Sequence, residues 1–420
     1  MTTTDSLFAL DAAQVQAVLG DAERATTPCF VYDLDLARHR FEGLRAALPP
    51  RTALAYAVKS NPGAPLLQTL ADAGARFDCA SAGEVARVRA AGPDSPIVMA
   101  GPAKSQADLH AAVYAGARVQ VDGIEDVARL HAMLSAHTTN PLRVSVRVNP
   151  SLPAQERSTI IGGGGPSAFG VDEEVLPGFL AAAHAYHRVR IDGLQVFSAS
   201  NELDASALLH NHAAALAIGQ RMTQRHGVEL ELIDLGGGLG IPYSADEPEL
   251  DISALGEGLE QLLARHPWFA GELLLEPGRW LSGPCGVYAS RVIRTKVSRG
   301  VSFALLEGGI NHLLRPLMTG QSFPVMGIRP GREPGVEEET EFTLAGPLCT
   351  SLDRVGIGRL PADTRPGDIV VFGQAGAYAY TQAMTHFLSH PAPEQYWLPC
   401  RDREAALTSS GQCPTLQGEE

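Results

Sequence analysis

Tyr56-Ala57-Val58-Lys59-Ser60-Asn61-Pro62 sets one lysine at the end of an apolar, strand-like run that begins at Thr52. The turn formers Asn61, Pro62 and Gly63 follow at once, so the lysine projects from the rim of a sheet. An amine desolvated at such a rim has its pKa lowered and can add to a carbonyl carbon. A lone lysine at a strand end is more often a solvated anchor, so the reading depends on what the rest of the chain carries.

Outward from that segment, Arg51 to Glu276 alternates short β-branched runs with alanine-rich stretches of helical period. Strands are expected at Ala53–Val58, Pro96–Met99, Arg118–Val121, Arg143–Val148, Gly193–Phe197, Leu230–Leu235 and Glu272–Leu275. Helices are expected at Ala64–Ala73, Ser81–Ala91, Lys104–Tyr114, Ile124–Ala136, Asp204–Gln224 and Ala254–His266. Repeated βα units over this length favour a parallel (β/α)8 TIM barrel over an open doubly wound sheet. In such a barrel the reactive groups belong at the carboxyl ends of strands. Lys59, Arg147, Ser200, Gly236 and Glu276 all fall there.

After Arg279 glycine and proline punctuate short runs at Val287–Thr295, Ser302–Leu306, Thr340–Leu344 and Asp368–Phe372. No long amphipathic helix is expected before Ala377–Phe387, which describes an antiparallel β domain. The expected fold class is therefore α/β: a barrel over 35–279, a β-rich domain over 280–400 and a polar tail over 401–420 in which disorder is expected. Gly162–Gly165 reads as a flexible loop near the barrel mouth and Gly331–Glu339 as an exposed turn.

Bulk properties agree with two domains, since 420 residues exceed what one hydrophobic core serves. Hydrophobic content of 45% and charged content of 19% describe a soluble globular protein. A net charge of −14 argues against nucleic acid as a partner, although a locally positive pocket can still take an anionic small molecule. No apolar run reaches the roughly 18 residues that span a bilayer, so no membrane partner is expected. The amino end lacks a basic start followed by an apolar stretch, which argues against a secretory signal. Cys29, Cys79, Cys285, Cys349, Cys400 and Cys413 show no metal-ligand spacing; reduced thiols, no metal and a cytoplasmic location are the expectation.

Five further pieces follow Lys59 in order: Phe77-Asp78-Cys79-Ala80-Ser81, Asp234-Leu235-Gly236-Gly237-Gly238, Glu276-Pro277-Gly278-Arg279, Gly346-Pro347-Leu348-Cys349 and Gly376-Ala377-Tyr378. From about Cys29 to Leu398 the chain resembles the pyridoxal-phosphate decarboxylases of the alanine-racemase-like fold, which include the diaminopimelate and ornithine enzymes. The resemblance implies that the first 34 residues, with Pro28-Cys29-Phe30-Val31-Tyr32, add a strand to the second domain.

Pyridoxal 5′-phosphate asks its protein for an aldehyde partner, a phosphate cradle, a partner for the ring nitrogen and a proton-transfer group. The resemblance implies Lys59 as the aldehyde partner. Gly236, Gly237 and Gly238, which let backbone amides turn toward an anion, form the cradle with Ser200, Gly278, Arg279 and Tyr378. Glu276 faces the ring nitrogen, where a carboxylate keeps the ring protonated and favours decarboxylation over racemisation. Cys349 is placed like the family thiol that reprotonates the α-carbon, and its ordinary pKa of roughly 8.5 suits proton transfer. In the family that thiol arrives from the neighbouring subunit, so a homodimer with shared active sites is implied. Asp353 matches a further position on the same loop. Asp78, Ser81, Glu84 and Arg147 match positions near the cofactor, and they serve equally well as a helix cap and a strand-end ion pair.

Three departures bear on substrate. Phe197 stands where a histidine commonly stacks on the ring. Thr350 follows the cysteine where basic-amino-acid decarboxylases carry an aspartate and diaminopimelate enzymes a glutamate. Thr319 falls where the ornithine enzymes have another amine-binding acid. Loss of acids that hold a distal ammonium argues against ornithine or lysine, because an unpaired charge in a desolvated pocket costs several kcal/mol. Arg315 matches an arginine that clamps a distal carboxylate in diaminopimelate enzymes, and a guanidinium fork suits that group; a surface or interface ion pair is its other reading. Thr385-His386-Phe387-Leu388-Ser389-His390-Pro391 looks like the branch used in carboxylate siderophore pathways, whose substrate is an amino acid joined to citrate. The resulting expectation is decarboxylation of an L-amino acid with an acidic or oxygen-rich far end, such as a citryl-diaminopropionate intermediate. Diaminopimelate decarboxylation is the nearest alternative. A non-catalytic, cofactor-binding regulator is the alternative of another class, and retention of Lys59 and Cys349 argues against it.

Overall fold

Parallel pairing closes part of the chain on itself in a computed structural model, which describes residues 7–20, 26–135, 140–151, 166–197, 200–331 and 338–399. Thr52–Ala57, Arg76–Cys79, Ile97–Met99, Arg118–Val121, Leu142–Asn149, Val189–Val196, Leu232–Asp234 and Glu272–Leu275 pair in a parallel ring. The ring shuts where Leu273 pairs with Thr52. Val171–Asp172 adds a short strand beside Leu142–Asn149, outside the ring. Helices such as Ala64–Asp72, Ala82–Ala91 and Ala205–His226 connect these strands, as the TIM-barrel reading requires.

Local chemistry explains several boundaries. The Ala82–Ala91 helix starts after Ser81, whose hydroxyl accepts from the Glu84 amide, while the Glu84 carboxylate accepts from the Ala80 amide at 2.6 Å. Gln106–Tyr114 starts later than expected because Ser105 caps it in a reciprocal box with Asp108. The Arg76–Cys79 strand was not expected, because an arginine, an aspartate and only four residues give no apolar run. Inside the barrel, Ala55, Val98, Leu232 and Leu274 from four strands form one buried cluster. Each large aliphatic side chain buried there contributes about 1.5–3 kcal/mol.

The chain divides into two compact units. One comprises Arg40–Ile241 and Glu249–Trp280; the other comprises Met1–His39, Pro242–Pro248 and Leu281–Glu420. In the second unit Val325–Ile328, Ile369–Phe372, Gly286–Ser298, Val301–Leu306, Glu339–Ala345 and Arg354–Pro361 lie in that order across a sheet. Most pairs are antiparallel, as expected, but Val301–Leu306 runs parallel to Glu339–Ala345. Cys29–Asp33 pairs antiparallel with the start of Gly286–Ser298 and parallel with Glu394–Leu398, so the amino-terminal segment does add a strand. Alternation sorts its side chains. Cys29 and Val31 enter a core with Leu10, Val15, Val287, Ala289, Ile328, Ile369 and Val371, whereas Phe30 and Tyr32 stack together and against Tyr288 and Trp397 respectively.

One expected element is absent. Ala377–Phe387 forms no α-helix; 3-10 turns occupy Tyr380–Gln382 and Phe387–Ser389. Tyr378 takes φ 52° and Ala379 ψ −88°, which take the chain off the right-handed helical path at its first turn. The Gly162–Gly165 loop, the 401–420 tail and most of the Gly331–Glu339 turn lie outside the described residues. Among the described residues no helix is long and apolar enough to cross a membrane, and no group of metal-ligating side chains assembles.

Candidate active site

The chain contains three lysines, at 59, 104 and 296, and their surroundings differ. Lys296 is exposed on the long Gly286–Ser298 strand. Lys104 is buried and held by Asp122 at 2.7 Å, Asp126 at 3.1 Å and the Gly101 carbonyl, a set that leaves its ammonium saturated. Lys59 sits in a 3-10 turn, Val58–Ser60, that continues the Thr52–Ala57 strand. Its amine donates to Asp78 Oδ2 at 2.9 Å, with the lysine side chain 45% exposed and the aspartate 1%. A reachable amine beside a buried carboxylate is the arrangement expected of a group that must meet an incoming aldehyde.

Barrel closure brings a second carboxylate to the same end. Glu276 follows the Glu272–Leu275 strand and is 5% exposed. Its Oε1 accepts from Gln120 Nε2 at 2.8 Å. That same nitrogen donates to Asp234 Oδ2 at 2.7 Å, and Asp234 Oδ1 accepts from the Gly236 amide at 2.9 Å. Burial pushes both Asp234 and Glu276 above the usual carboxylate range, Asp234 strongly; Glu276 adds to the rise at Asp234, whereas Asp78 adds to the rise at Glu276 and the Asp234 contact opposes it. Neither Gln120 nor the role of Asp234 was foreseen. The available signal was a glutamine in the middle of the apolar run Arg118–Val121, where alternation turns it to a buried face.

The glycine run lies against these groups. Gly236 takes φ 70°, and a Cβ there would come within 2.9 Å of the Phe197 ring. A Cβ on Gly237 would meet the Glu276 carbonyl at 2.7 Å, so the cradle tolerates no side chain. Arg147 lies near the end of the Leu142–Asn149 strand, is buried, and places its guanidinium over the Phe169 ring at 4.4 Å and farther from the Phe197 ring, at 5.9 Å. It is a stacked cation. Ser200 is half-buried at the end of the next barrel strand, beyond Ser198 and Ala199, which lie outside the described residues. Gly278 is buried, a Cβ there would crowd Ser60 and Ala57, and Arg279 is half-buried beside it. Ser81 and Glu84 are engaged in capping their own helix.

The other predicted residues belong to the second unit. Tyr378 is half-buried in left-handed conformation. Cys349 is exposed, unlike Cys29, Cys79 and Cys285, whose thiols are buried. Burial pushes Cys29 up to about 12 and Cys79 higher still, so neither supplies thiolate near neutrality. Asp353 is buried and both its oxygens are spent on backbone: Oδ1 accepts from Ile310 at 2.8 Å and Oδ2 from Leu348 at 2.7 Å. It braces the loop that presents Cys349. Thr350 accepts from the Leu352 amide at 3.2 Å, and Thr319 is exposed with its hydroxyl on the Arg315 carbonyl. Arg315 is buried. Its guanidinium lies 4.2 Å from the Tyr243 ring and donates to Gln321 Oε1 at 2.6 Å; the Gln321 amide in turn donates to Glu247 at 3.0 Å.

Known proteins share this framework. A profile for the pyridoxal binding domain of pyridoxal-dependent decarboxylases matches residues 34–283. The chain is 29% identical to the L-glutamyl-[BtrI acyl-carrier protein] decarboxylase of Niallia circulans, over 91% of each chain. It is 29% identical to the 2-[(L-alanin-3-ylcarbamoyl)methyl]-2-hydroxybutanedioate decarboxylase of Staphylococcus aureus, over 91% of this chain and 98% of that one. It is 33% identical to the diaminopimelate decarboxylase of Deinococcus radiodurans, over 89% and 90%.

Proposed function

The chain belongs to the pyridoxal-dependent decarboxylases, and from that premise we propose that it removes the α-carboxyl group of an L-amino acid whose far end is acidic or oxygen-rich, with a citryl-diaminopropionate conjugate as the best candidate. The observation that carries this reading is Arg315, a buried guanidinium that lies 4.2 Å from the Tyr243 ring and donates to Gln321. A cation held in that way suits a carboxylate brought by a ligand. The Staphylococcus aureus relative is named for a hydroxybutanedioate conjugate, whose far end carries carboxylates, and the Niallia circulans relative for a carrier-bound L-glutamyl group. Thr350 supports the same reading, since a neutral residue there holds no distal ammonium.

Pyridoxal phosphate is the cofactor of this family, and when bound it supplies an electron sink for the carbon that loses carbon dioxide. The residues present fit it. Lys59 holds the aldehyde end, and Asp78 keeps the amine in place before the cofactor arrives. Gly236, Gly237 and Gly238 would offer backbone to the phosphate, and the family resemblance assigns Ser200, Gly278, Arg279 and Tyr378 to the same group. Glu276 would partner the ring nitrogen, and Phe197 and Arg147, 5.9 Å from each other, would supply an aromatic face and a cation beside it. Cys349, exposed on a loop braced by Asp353, delivers a proton to the α-carbon. We infer that this thiol acts in a homodimer, reaching the neighbouring subunit's site; sedimentation of the holoenzyme as a monomer with full activity would refute that. The free thiols at 29, 79, 285 and 349 support a cytoplasmic location.

Diaminopimelate decarboxylation is the second reading, favoured by the Deinococcus radiodurans relative at 33% identity. The deciding experiment is carbon dioxide release by the cofactor-loaded protein from meso-diaminopimelate, ornithine, lysine, arginine and a citryl-diaminopropionate conjugate. Turnover of the conjugate alone is expected. Turnover of diaminopimelate alone would overturn the substrate assignment.

A further inference from the structure

Gln120 and Asp234 on two barrel strands and Glu276 just after a third converge in a buried setting. Gln120, Asp234 and Glu276 are 1%, 0% and 5% exposed. One amide nitrogen, Gln120 Nε2, donates to both carboxyl groups, at 2.7 Å and 2.8 Å. The near cation, Lys59, is already engaged by Asp78. Two carboxylates brought this close in a desolvated setting cannot both be ionised. A single proton must therefore sit on the pair.

We propose that Asp234 is a positioning residue that carries this proton, donates it to Glu276 and so keeps the Glu276 charge directed at the position the cofactor's ring nitrogen takes. The assignment rests on the role given above to Glu276. Environment decides which partner keeps the proton. Asp234 is enclosed on every side and its Oδ1 faces the Gly236 amide; Glu276 is also pushed up by burial and by Asp78, but the Asp234 contact, the field of Lys59 and the Gln120 amide all favour its charged form. Burial and the neighbouring Glu276 push Asp234 well up, in agreement with a protonated side chain. The arrangement has a second consequence. Asp234 touches the first glycine of the phosphate cradle on one oxygen and the carboxyl pair on the other, and the Glu276 amide donates to the Gly236 carbonyl at 2.8 Å. The cradle and the ring-nitrogen carboxylate are thus set by one residue.

The test is titration of the apoprotein with pyridoxal phosphate, followed by the visible absorbance band of the bound cofactor, for wild type, D234N, D234A, E276Q and E276Q/D234A. An asparagine can donate to Glu276 and accept from Gly236 but cannot be ionised. D234N should stay within about threefold of wild-type affinity with an unmoved band, whereas D234A should bind roughly tenfold to a hundredfold more weakly with a displaced band. In the E276Q background the D234A effect should shrink to about threefold or less. D234N as damaging as D234A would overturn the proposal, because an ionised aspartate would then be required. An undiminished D234A effect in the E276Q background would also overturn it, placing the action of Asp234 on the cradle alone. An innocuous E276Q would overturn the role of Glu276 itself and the proposal with it, whereas a damaging E276Q beside an innocuous D234A would overturn the proposal only. Should D234A not fold, D234N alone still decides between a protonated and an ionised side chain.

Discussion

Replacing Lys59 by methionine keeps the stem of the side chain and deletes its charge, so the Asp78 carboxylate is left behind. That carboxylate is 1% exposed, and its Oδ1 has no hydrogen-bond partner among the described residues. At the observed separation of 2.9 Å the bare attraction at an effective dielectric of about 20 is about 6 kcal/mol. The lysine side chain is 45% exposed, so solvent screening and the entropy of holding it reduce the net worth to about 2 kcal/mol. The assay is urea unfolding of the apoprotein for wild type, K59M, D78N and K59M/D78N, which separates pair energy from each residue's own contribution. K59M should lose about 2 kcal/mol of stability, and the double variant should be no less stable than K59M, because D78N removes the stranded charge. A coupling energy of about 1–2 kcal/mol is expected. A coupling below about 0.3 kcal/mol would refute the reasoning, since Asp78 would then be stabilised by something other than the Lys59 amine.

Alkylation of the native apoprotein with iodoacetamide, read peptide by peptide, should modify Cys349 quickly and leave Cys29, Cys79 and Cys285 untouched, because only the first is exposed. C349A should lower kcat by about 10²–10⁴-fold, the contribution of one proton-transfer group, with unchanged cofactor affinity in the titration. R315K should raise KM for the citryl conjugate about tenfold or more with a smaller change in kcat, as the loss of a bidentate contact implies. His212 is buried without an Nδ1 partner, and burial lowers its pKa from 6.5 to about 4. Its folded-state pKa lies below the unfolded one, so the stability it permits is complete above 6.5 and is lost as pH falls toward 4. That loss amounts to about 3 kcal/mol, and H212L should flatten the stability profile across this window in urea unfolding at stepped pH.

Much of the site was legible because its parts announce themselves locally. Lys59 stands at a strand end before Asn61-Pro62-Gly63, and three glycines follow an apolar run that ends at Asp234-Leu235. Glu276 precedes a proline turn in the same manner. These are signals of adjacent residues, and the barrel placed each of them at the carboxyl end of its strand or just beyond it. Signals failed where adjacency was weak. Arg76–Cys79 pairs on both sides although its own four residues carry no strand pattern, because pairing partners stabilise what propensity does not. The helix expected over Ala377–Phe387 does not form, because the left-handed turn at Tyr378 is not written in the residue pattern.

The sequence by itself determined the class of fold, through the periods of helix and strand, and its resemblance to the pyridoxal-phosphate decarboxylases singled out Lys59, Gly236–Gly238 and Glu276 for the roles proposed above. Only the tertiary structure decided that Gln120 reaches Asp234 and Glu276, residues 114 and 156 positions away, and that Arg315 lies buried on Tyr243 with Gln321 as its partner. The physical reason is that proton location and charge orientation depend on distance, burial and shared donors, and these exist only once the ring of strands has closed.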